Sequence, residues 1–294
     1  MKVLRARVLG FCMGVRRAVE LAEGEVPRFP GQRCVTMGPL IHNPQVLRSL
    51  ESRGVGILDE KSLDNLKNTT VIIRAHGISP GLEAELAERG ARIADATCPR
   101  VKASQLAART FAAAGRRIFL AGEERHGEII GIQGYVKAGG PANGAEPRCV
   151  AVGNAAEAER AAEQLYREEP AAKTALIGQT TISPEEYRAI GEGIRRFFPD
   201  LEIADTICGA TRDRQEALRE LCGRVDAVIV AGGRESSNTR RLLAIAQAQG
   251  KPCWLVEGAE DIPREAGAYQ TVGLCAGAST PDTVINDIEE ALLR

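Results

Sequence analysis

Residues 93–98 read Ile93-Ala94-Asp95-Ala96-Thr97-Cys98, and residues 203–208 read Ile203-Ala204-Asp205-Thr206-Ile207-Cys208. Each is a short apolar segment ending in cysteine. Each runs directly into a polar stretch with helical spacing, PRVKASQLAARTF and GATRDRQEALREL. The N-terminus repeats the pattern: an extended segment from Val3 to Leu9, then Gly10-Phe11-Cys12, then MGVRRAVELAE. Self-similarity of this kind marks a chain built from repeated supersecondary units. Pro99, directly after Cys98, suits the first turn of a helix, where its missing N–H costs nothing.

Two further elements recur. CVTMG (34–38) leads to Ile41-His42-Asn43-Pro44, RIFLAG (117–122) leads to Arg125-His126-Gly127-Glu128, and AVIVAGG (227–233) leads to Ser236-Ser237-Asn238. His42, His126 and Ser236 lie 30, 28 and 28 residues after Cys12, Cys98 and Cys208. The third element closes each unit: VIIRAHGISPGLEAEL, ALIGQTTISPEEYRAI and VGLCAGASTPDTVIND. Each is an apolar strand, a small polar loop, then Ser or Thr and a proline (Pro80, Pro184, Pro281) opening a helix.

Short apolar strands alternating with amphipathic helices predict parallel sheets covered by helices. The expected fold is α/β: three similar small units with mostly parallel sheets around a pseudo-threefold axis. Polar loops at the carboxyl ends of such strands are where ligands bind. The arrangement would bring Cys12, Cys98 and Cys208 to the centre, inside a ring of those loops. GGPANGAEPR (139–148) reads as an insertion in the middle unit and predicts a surface loop.

The 294 residues are 44% hydrophobic and 26% charged, an ordinary globular composition. The net charge of −1 provides no field to hold nucleic acid or an anionic membrane. Arg5 and Arg7 interrupt the N-terminal apolar residues, so no signal-peptide core is present. No apolar run is long enough to span a bilayer. A cytoplasmic protein is the expectation.

Eight cysteines without a secretory signal predict reduced thiols rather than disulfides. No C-x-x-C occurs, which removes zinc ribbons and ferredoxin-type runs. Any metal site must therefore be assembled by the fold. Cys34, Cys149, Cys253 and Cys275 fall in or beside apolar strands and Cys222 in a helix, so these read as packing residues. Cys12, Cys98 and Cys208 each precede a helix, where the dipole favours thiolates. Three such thiolates suit a zinc ion, or a 4Fe–4S cluster with one iron left open as a Lewis acid and electron donor.

His42, His76, His126, Ser236, Ser237, Asn238 and Ser279 read as an anion site of imidazole, hydroxyl and amide donors. Glu128 and Thr180 occupy loops of the middle unit, where a carboxyl could deliver protons with the hydroxyl as relay. Read alone, Glu128 fits a solvated surface carboxylate. No dinucleotide fingerprint or Walker motif appears, so electrons must come from an external donor.

These blocks together resemble the 4-hydroxy-3-methylbut-2-enyl diphosphate reductase family. The resemblance rests on Gly10-Phe11-Cys12-Met13-Gly14-Val15, Ile41-His42-Asn43-Pro44, Ala75-His76-Gly77, Thr97-Cys98-Pro99, His126-Gly127-Glu128, Gln179-Thr180-Thr181, Cys208-Gly209-Ala210-Thr211, Ser236-Ser237-Asn238 and Ser279-Thr280-Pro281. It implies an iron–sulfur reductase at the last step of the non-mevalonate isoprenoid pathway. Such an enzyme removes the allylic hydroxyl of (E)-4-hydroxy-3-methylbut-2-enyl diphosphate to give isopentenyl and dimethylallyl diphosphates. By the same resemblance, one 4Fe–4S cluster with an open iron is held by Cys12, Cys98 and Cys208. The diphosphate goes to His42, His76, His126, Ser236, Ser237, Asn238 and Ser279. Glu128 is the proton donor, Thr180 lines the substrate and relays the proton, and ferredoxin or flavodoxin brings the electrons.

The resemblance also divides the chain into residues 14–97, 98–205 and 206–294, the last completed by residues 1–13. Two departures stand out. His126-Gly127-Glu128 replaces the commoner His-Pro-Glu, and Glu235 stands beside the diphosphate loop, where repulsion predicts that it points outward. The alternatives are a quinolinate-synthase-like cluster dehydratase, which needs no net reductant, and a non-enzymatic iron–sulfur sensor or scaffold.

Overall fold

A computed structural model describes residues 1–60, 63, 65–140 and 146–294. Its first third runs β1 (Lys2–Arg5), α1 (Met13–Arg28), β2 (Arg33–Met37), α2 (Pro44–Ser52), β3 (Val55–Leu58), β4 (Thr69–Ile73), α3 (Pro80–Glu88) and β5 (Arg92–Asp95). The middle runs α4 (Pro99–Ala113), β6 (Arg117–Ala121), α5 (Gly127–Ala138), β7 (Cys149–Val152), α6 (Ala155–Glu168), β8 (Thr174–Gly178), α7 (Pro184–Arg195) and β9 (Glu202–Ile203). Then come α8 (Gly209–Cys222), β10 (Ala227–Ala231), α9 (Ser237–Ala248), β11 (Cys253–Val256), β12 (Thr271–Ala276) and α10 (Asp282–Leu293). Of the predicted loop 139–148, residues 141–145 lie outside the described residues.

The strands form three four-stranded sheets, ordered β3-β2-β4-β5, β7-β6-β8-β9 and β11-β10-β12-β1. Every strand pair is parallel. The chain thus adopts the three similar α/β units its repeat predicts. β1 holds the outer position that β5 and β9 hold in the other sheets. The segments leading to Cys12, Cys98 and Cys208 are therefore equivalent edge strands. Lys2 and Arg5 on β1, Arg92 and Asp95 on β5, and Glu202 on β9 charge these edges, which discourages pairing with another chain.

By density of contacts the chain divides into two bodies. Residues 1–20, 41–54 and 209–294 form one, which holds the sheet containing β10. Residues 21–40 and 55–208 form the other, which holds the remaining two sheets.

The central strands β4, β8 and β10 are buried along their whole length, as expected of parallel strands covered on both faces. Alternation along β10 shows how the faces are assigned. Val228 and Val230 pack with Leu218 and Leu221 of α8 and Leu242 of α9, whereas Ile229 and Ala231 pack with Val284, Ile285 and Ile288 of α10. In the middle unit Phe119 and Leu176 meet α6 and α7, while Ile118, Leu120 and Ile177 meet α4 and α5. Each such aliphatic side chain contributes about 1.5–3 kcal/mol when fully buried.

Two of the three Ser/Thr-Pro signals open helices as expected. Ser79 and Ser183 cap α3 and α7 with Pro80 and Pro184 in the first turn, and Glu186 completes a capping box with Ser183. The third is displaced by one residue, with Pro281 preceding α10. The Thr280 hydroxyl donates back to the Ala231 carbonyl at 3.1 Å and so does not cap the helix. No helix among the described residues is long and apolar enough to cross a membrane.

Candidate active site

Each cysteine of the repeat is held by its backbone against a polar loop of its own body. The Cys12 N–H donates to the Ala278 carbonyl at 3.1 Å, beside Ser279. The Cys98 N–H donates to Ala75 at 3.0 Å, beside His76, and the Cys208 N–H donates to the Thr180 carbonyl at 3.0 Å. Cys98 is the N-cap of α4, Cys12 and Cys208 immediately precede α1 and α8, and the Cys12 Sγ accepts from the Val15 N–H at 3.4 Å. All three are partly exposed. The other five cysteines lie in β2, β7, β11, β12 and α8, and burial pushes each of their thiols up, Cys275 to about 12. That environment suits packing and opposes metal-ligating thiolates.

In the first body, Ser236 caps α9 by accepting from the Thr239 N–H at 3.3 Å, and Ser237 and Asn238 form the first turn. Ser236, Ser237, Asn238 and Ser279 are all at least nine-tenths buried. Neither carboxamide atom of Asn238 has a protein partner. A buried amide in that state calls for a ligand or water. The Ser279 hydroxyl donates to the His42 carbonyl at 3.3 Å. That carbonyl also lies only 2.3 Å from where a Cβ on residue 233 would stand, so Gly233 alone permits the approach. Glu235 is exposed, as its charge requires.

In the second body, His126 caps α5: its Nδ1 accepts from the Glu128 N–H at 3.2 Å, which leaves Nε2 to carry the proton as a donor. The His76 and His126 rings meet edge to face, 5.0 Å apart. Glu128 is not the solvated carboxylate its residue type suggests, being 1% exposed. It accepts from the Thr180 N–H at 2.7 Å and the Thr180 hydroxyl at 2.9 Å. Burial pushes its carboxyl up to about 7, and the two Thr180 hydrogen bonds restrain the rise. A carboxyl titrating there can hold and release a proton near neutrality.

Sequence reasoning missed Arg74. Its side chain is 16% exposed, and its Nε donates to the Gly77 carbonyl at 3.4 Å. A Cβ on residue 127 would stand 3.0 Å from its Cζ and Nη2. The guanidinium therefore occupies the space a proline at position 127 would need. The signal was an arginine directly after the buried strand β4, in a chain with glycine at position 127. Gln105 was also missed: it is 1% exposed, seven residues after Cys98, and its Nε2 has no protein partner.

The LytB protein family model matches residues 3–293. The chain is 44% identical to the 4-hydroxy-3-methylbut-2-enyl diphosphate reductase of Treponema denticola, all of both chains being covered. It is 39% identical to the enzyme of that name from Solidesulfovibrio magneticus over 99% of each chain. The solved structure of the E-1-hydroxy-2-methyl-but-2-enyl-4-diphosphate reductase from Plasmodium falciparum aligns with a TM-score of 0.86 at 26% identity, covering all of this chain and 88% of that one. A solved (E)-4-hydroxy-3-methyl-but-2-enyl diphosphate reductase aligns with a TM-score of 0.69 at 34% identity over 100% and 99% of the two chains. With a family match over nearly its whole length and these relatives, the chain belongs to the LytB family of 4-hydroxy-3-methylbut-2-enyl diphosphate reductases.

Proposed function

We infer the reaction from this membership, and the residue roles from the family resemblance together with the local geometry above. The chain is an oxidoreductase of the terminal non-mevalonate step. It converts (E)-4-hydroxy-3-methylbut-2-enyl diphosphate, two electrons and two protons to isopentenyl or dimethylallyl diphosphate and water. Cys12, Cys98 and Cys208 would hold one 4Fe–4S cluster with one iron free of protein ligands. The donor set fits: three partly exposed thiols at helix starts, each fixed by its backbone N–H, against five others set in strands or a helix. When bound, the cluster supplies the electrons singly and polarises the allylic hydroxyl as a Lewis acid.

The chain's own residues do the rest. Ser236, Ser237, Asn238 and Ser279, with His42, His76 and His126, offer hydroxyl, amide and imidazole donors to the diphosphate. Asn238, buried with both amide atoms unpartnered, is matched to such a ligand. Glu128 holds a proton on its carboxyl and passes it to the departing hydroxyl, with Thr180 orienting the carboxyl and relaying the proton. Burial of His126, Glu128, Thr180, Ser236, Ser237, Asn238 and Ser279 would keep stray water from the reacting carbons. The domains are residues 14–97, 98–205 and 206–294 with 1–13. An external one-electron carrier such as ferredoxin or flavodoxin serves as reductant, and the cytoplasm is the compartment.

The family match carries the reaction, and the observation that carries the residue roles is Glu128, a buried carboxyl held by two hydrogen bonds from Thr180. The test is anaerobic purification with iron and sulfide counts, then turnover of the diphosphate with an artificial one-electron donor. Product formation that needs the donor supports the reading. Turnover without reductant, as in a quinolinate-synthase-like dehydration, or cluster redox changes with no diphosphate converted, as in a sensor, would overturn it.

A further inference from the structure

We propose that Arg214 is a positioning residue for the iron–sulfur cradle, which it holds by bracing the loop that presents Cys12. The inference rests on the cofactor reading above. Arg214 lies on α8, the helix that follows Cys208, and is 3% exposed. Its Nη1 donates to the Ala210 carbonyl at 2.8 Å, in the first turn of that helix. Its Nη2 donates to the Gly10 carbonyl at 2.5 Å, two residues ahead of Cys12. One guanidinium thus spans from the start of α8 to the turn that delivers Cys12.

The turn depends on this anchor. Gly10 adopts φ +78°, open to glycine at little cost, and a Cβ there would stand 3.0 Å from Ile285 Cδ1 and 3.2 Å from Asp282 Oδ1. The peptide between Gly10 and Phe11 is held on its carbonyl side by Arg214, and Cys12 is held on its N–H side by Ala278. Loss of the guanidinium would leave the buried Gly10 carbonyl without this charged donor and release one end of the turn. Lysine cannot replace it fully, because a single ammonium on a flexible stem lacks the planar fork that reaches two carbonyls at once. The guanidinium also sets a permanent positive charge against the turn that presents Cys12. Such a charge favours the reduced, more negative form of a bound cluster.

The experiment compares the wild-type holoenzyme with Arg214→Met, Arg214→Lys and Glu128→Gln, all purified and reconstituted anaerobically. The readouts are iron and sulfide per chain, the rate of iron release to a chelator, and the midpoint potential by EPR-monitored titration. Loss of an outer partner to metal ligands typically costs 10–100-fold in metal affinity. Arg214→Met is expected to release iron at least about tenfold faster and to show a lower potential. Arg214→Lys should fall between, its potential near wild type because the charge remains, while Glu128→Gln keeps its full iron complement. If Arg214→Met folds poorly by circular dichroism, Arg214→Lys decides: faster iron release from a normally folded chain supports the brace. Arg214 variants that retain iron at the wild-type rate and potential overturn the proposal and leave the cofactor reading intact. A wild-type chain that binds no cluster sinks the cofactor reading instead.

Discussion

The Thr180 residue donates twice to the Glu128 carboxylate, through its N–H at 2.7 Å and its hydroxyl at 2.9 Å, across 52 residues of chain. Both hydrogen bonds favour the ionised form, whereas burial favours the neutral one, and the outcome is a carboxyl near 7. Thr180 therefore tunes Glu128 as well as orienting it. The same residue's carbonyl accepts from the Cys208 N–H, so one loop fixes both Glu128 and a cysteine.

Activity that needs a protonated Glu128 should decline as pH rises through about 7. Thr180→Val removes the hydroxyl bond but keeps the N–H bond, so the carboxyl titrates higher. The falling limb of kcat against pH should move alkaline by roughly one unit, the worth of one hydrogen bond to a charged group. A limb that stays in place would remove Thr180 from the control of Glu128. Glu128→Gln should lose most turnover at every pH.

Stability should carry the same signature. The folded carboxyl titrates near 7 and the unfolded one near 4.5, so the native state retains the proton over a range in which the unfolded chain has lost it. The unfolded state then binds fewer protons, and the stability associated with this group falls as pH rises from about 4.5 to about 7. The full loss is about 3 kcal/mol, and none accrues above that window. Glu128→Gln has no carboxyl to titrate. Its stability relative to wild type should therefore rise across the window and level off beyond it, measured by anaerobic thermal unfolding without substrate.

Much of this site was legible because the repeat is written in residue types. Short β-branched apolar runs such as AVIVA, followed by glycines, read as buried strands, and three cysteines at matching places after short strands single themselves out from five set within elements. Asn238 and Ser279 were legible as polar residues where parallel strands end. Arg74, Arg214 and Gln105 were not, because their partners are backbone groups or glycines of other elements, such as Gly10, which lies 204 residues from Arg214. No local pattern encodes such a distance. The burial of Glu128 was hidden for a related reason: a carboxylate in a polar loop looks solvated until α5 and the Thr180 loop close around it.

Gly127 and Arg74 form a pair whose substitutions should compensate. Proline at the first helical position is compatible with α5 itself. In this chain, however, its ring would overlap the Arg74 guanidinium, 3.0 Å from even a bare Cβ. Gly127→Pro alone should destabilise by about 1–3 kcal/mol through overpacking and lower kcat/KM by shifting His126 and Glu128. Adding Arg74→Ala opens the space, so the double variant should recover relative to Gly127→Pro. A double-mutant cycle on both stability and kcat/KM measures the coupling, and strict additivity would show that the two residues do not share the space.

Asn238 offers a test that separates binding from folding. Its carboxamide is buried with neither atom bonded to protein, which penalises the ligand-free fold by about 1–3 kcal/mol wherever water does not compensate. Asn238→Leu replaces it with an apolar group of similar size. The variant should be as stable as wild type or more so, because it removes an unsatisfied group and leaves none behind. Its affinity for inorganic pyrophosphate should nevertheless fall at least about tenfold, the worth of a hydrogen bond to a charged oxygen. Stabilisation of the wild type by pyrophosphate follows mass action, so thermal unfolding over a ligand series reads both quantities at once. A residue that served only packing would lose stability on this exchange and leave the pyrophosphate response unchanged. The opposite pattern, unchanged or higher stability with a blunted response, marks Asn238 as a residue kept for its ligand at the expense of the empty fold.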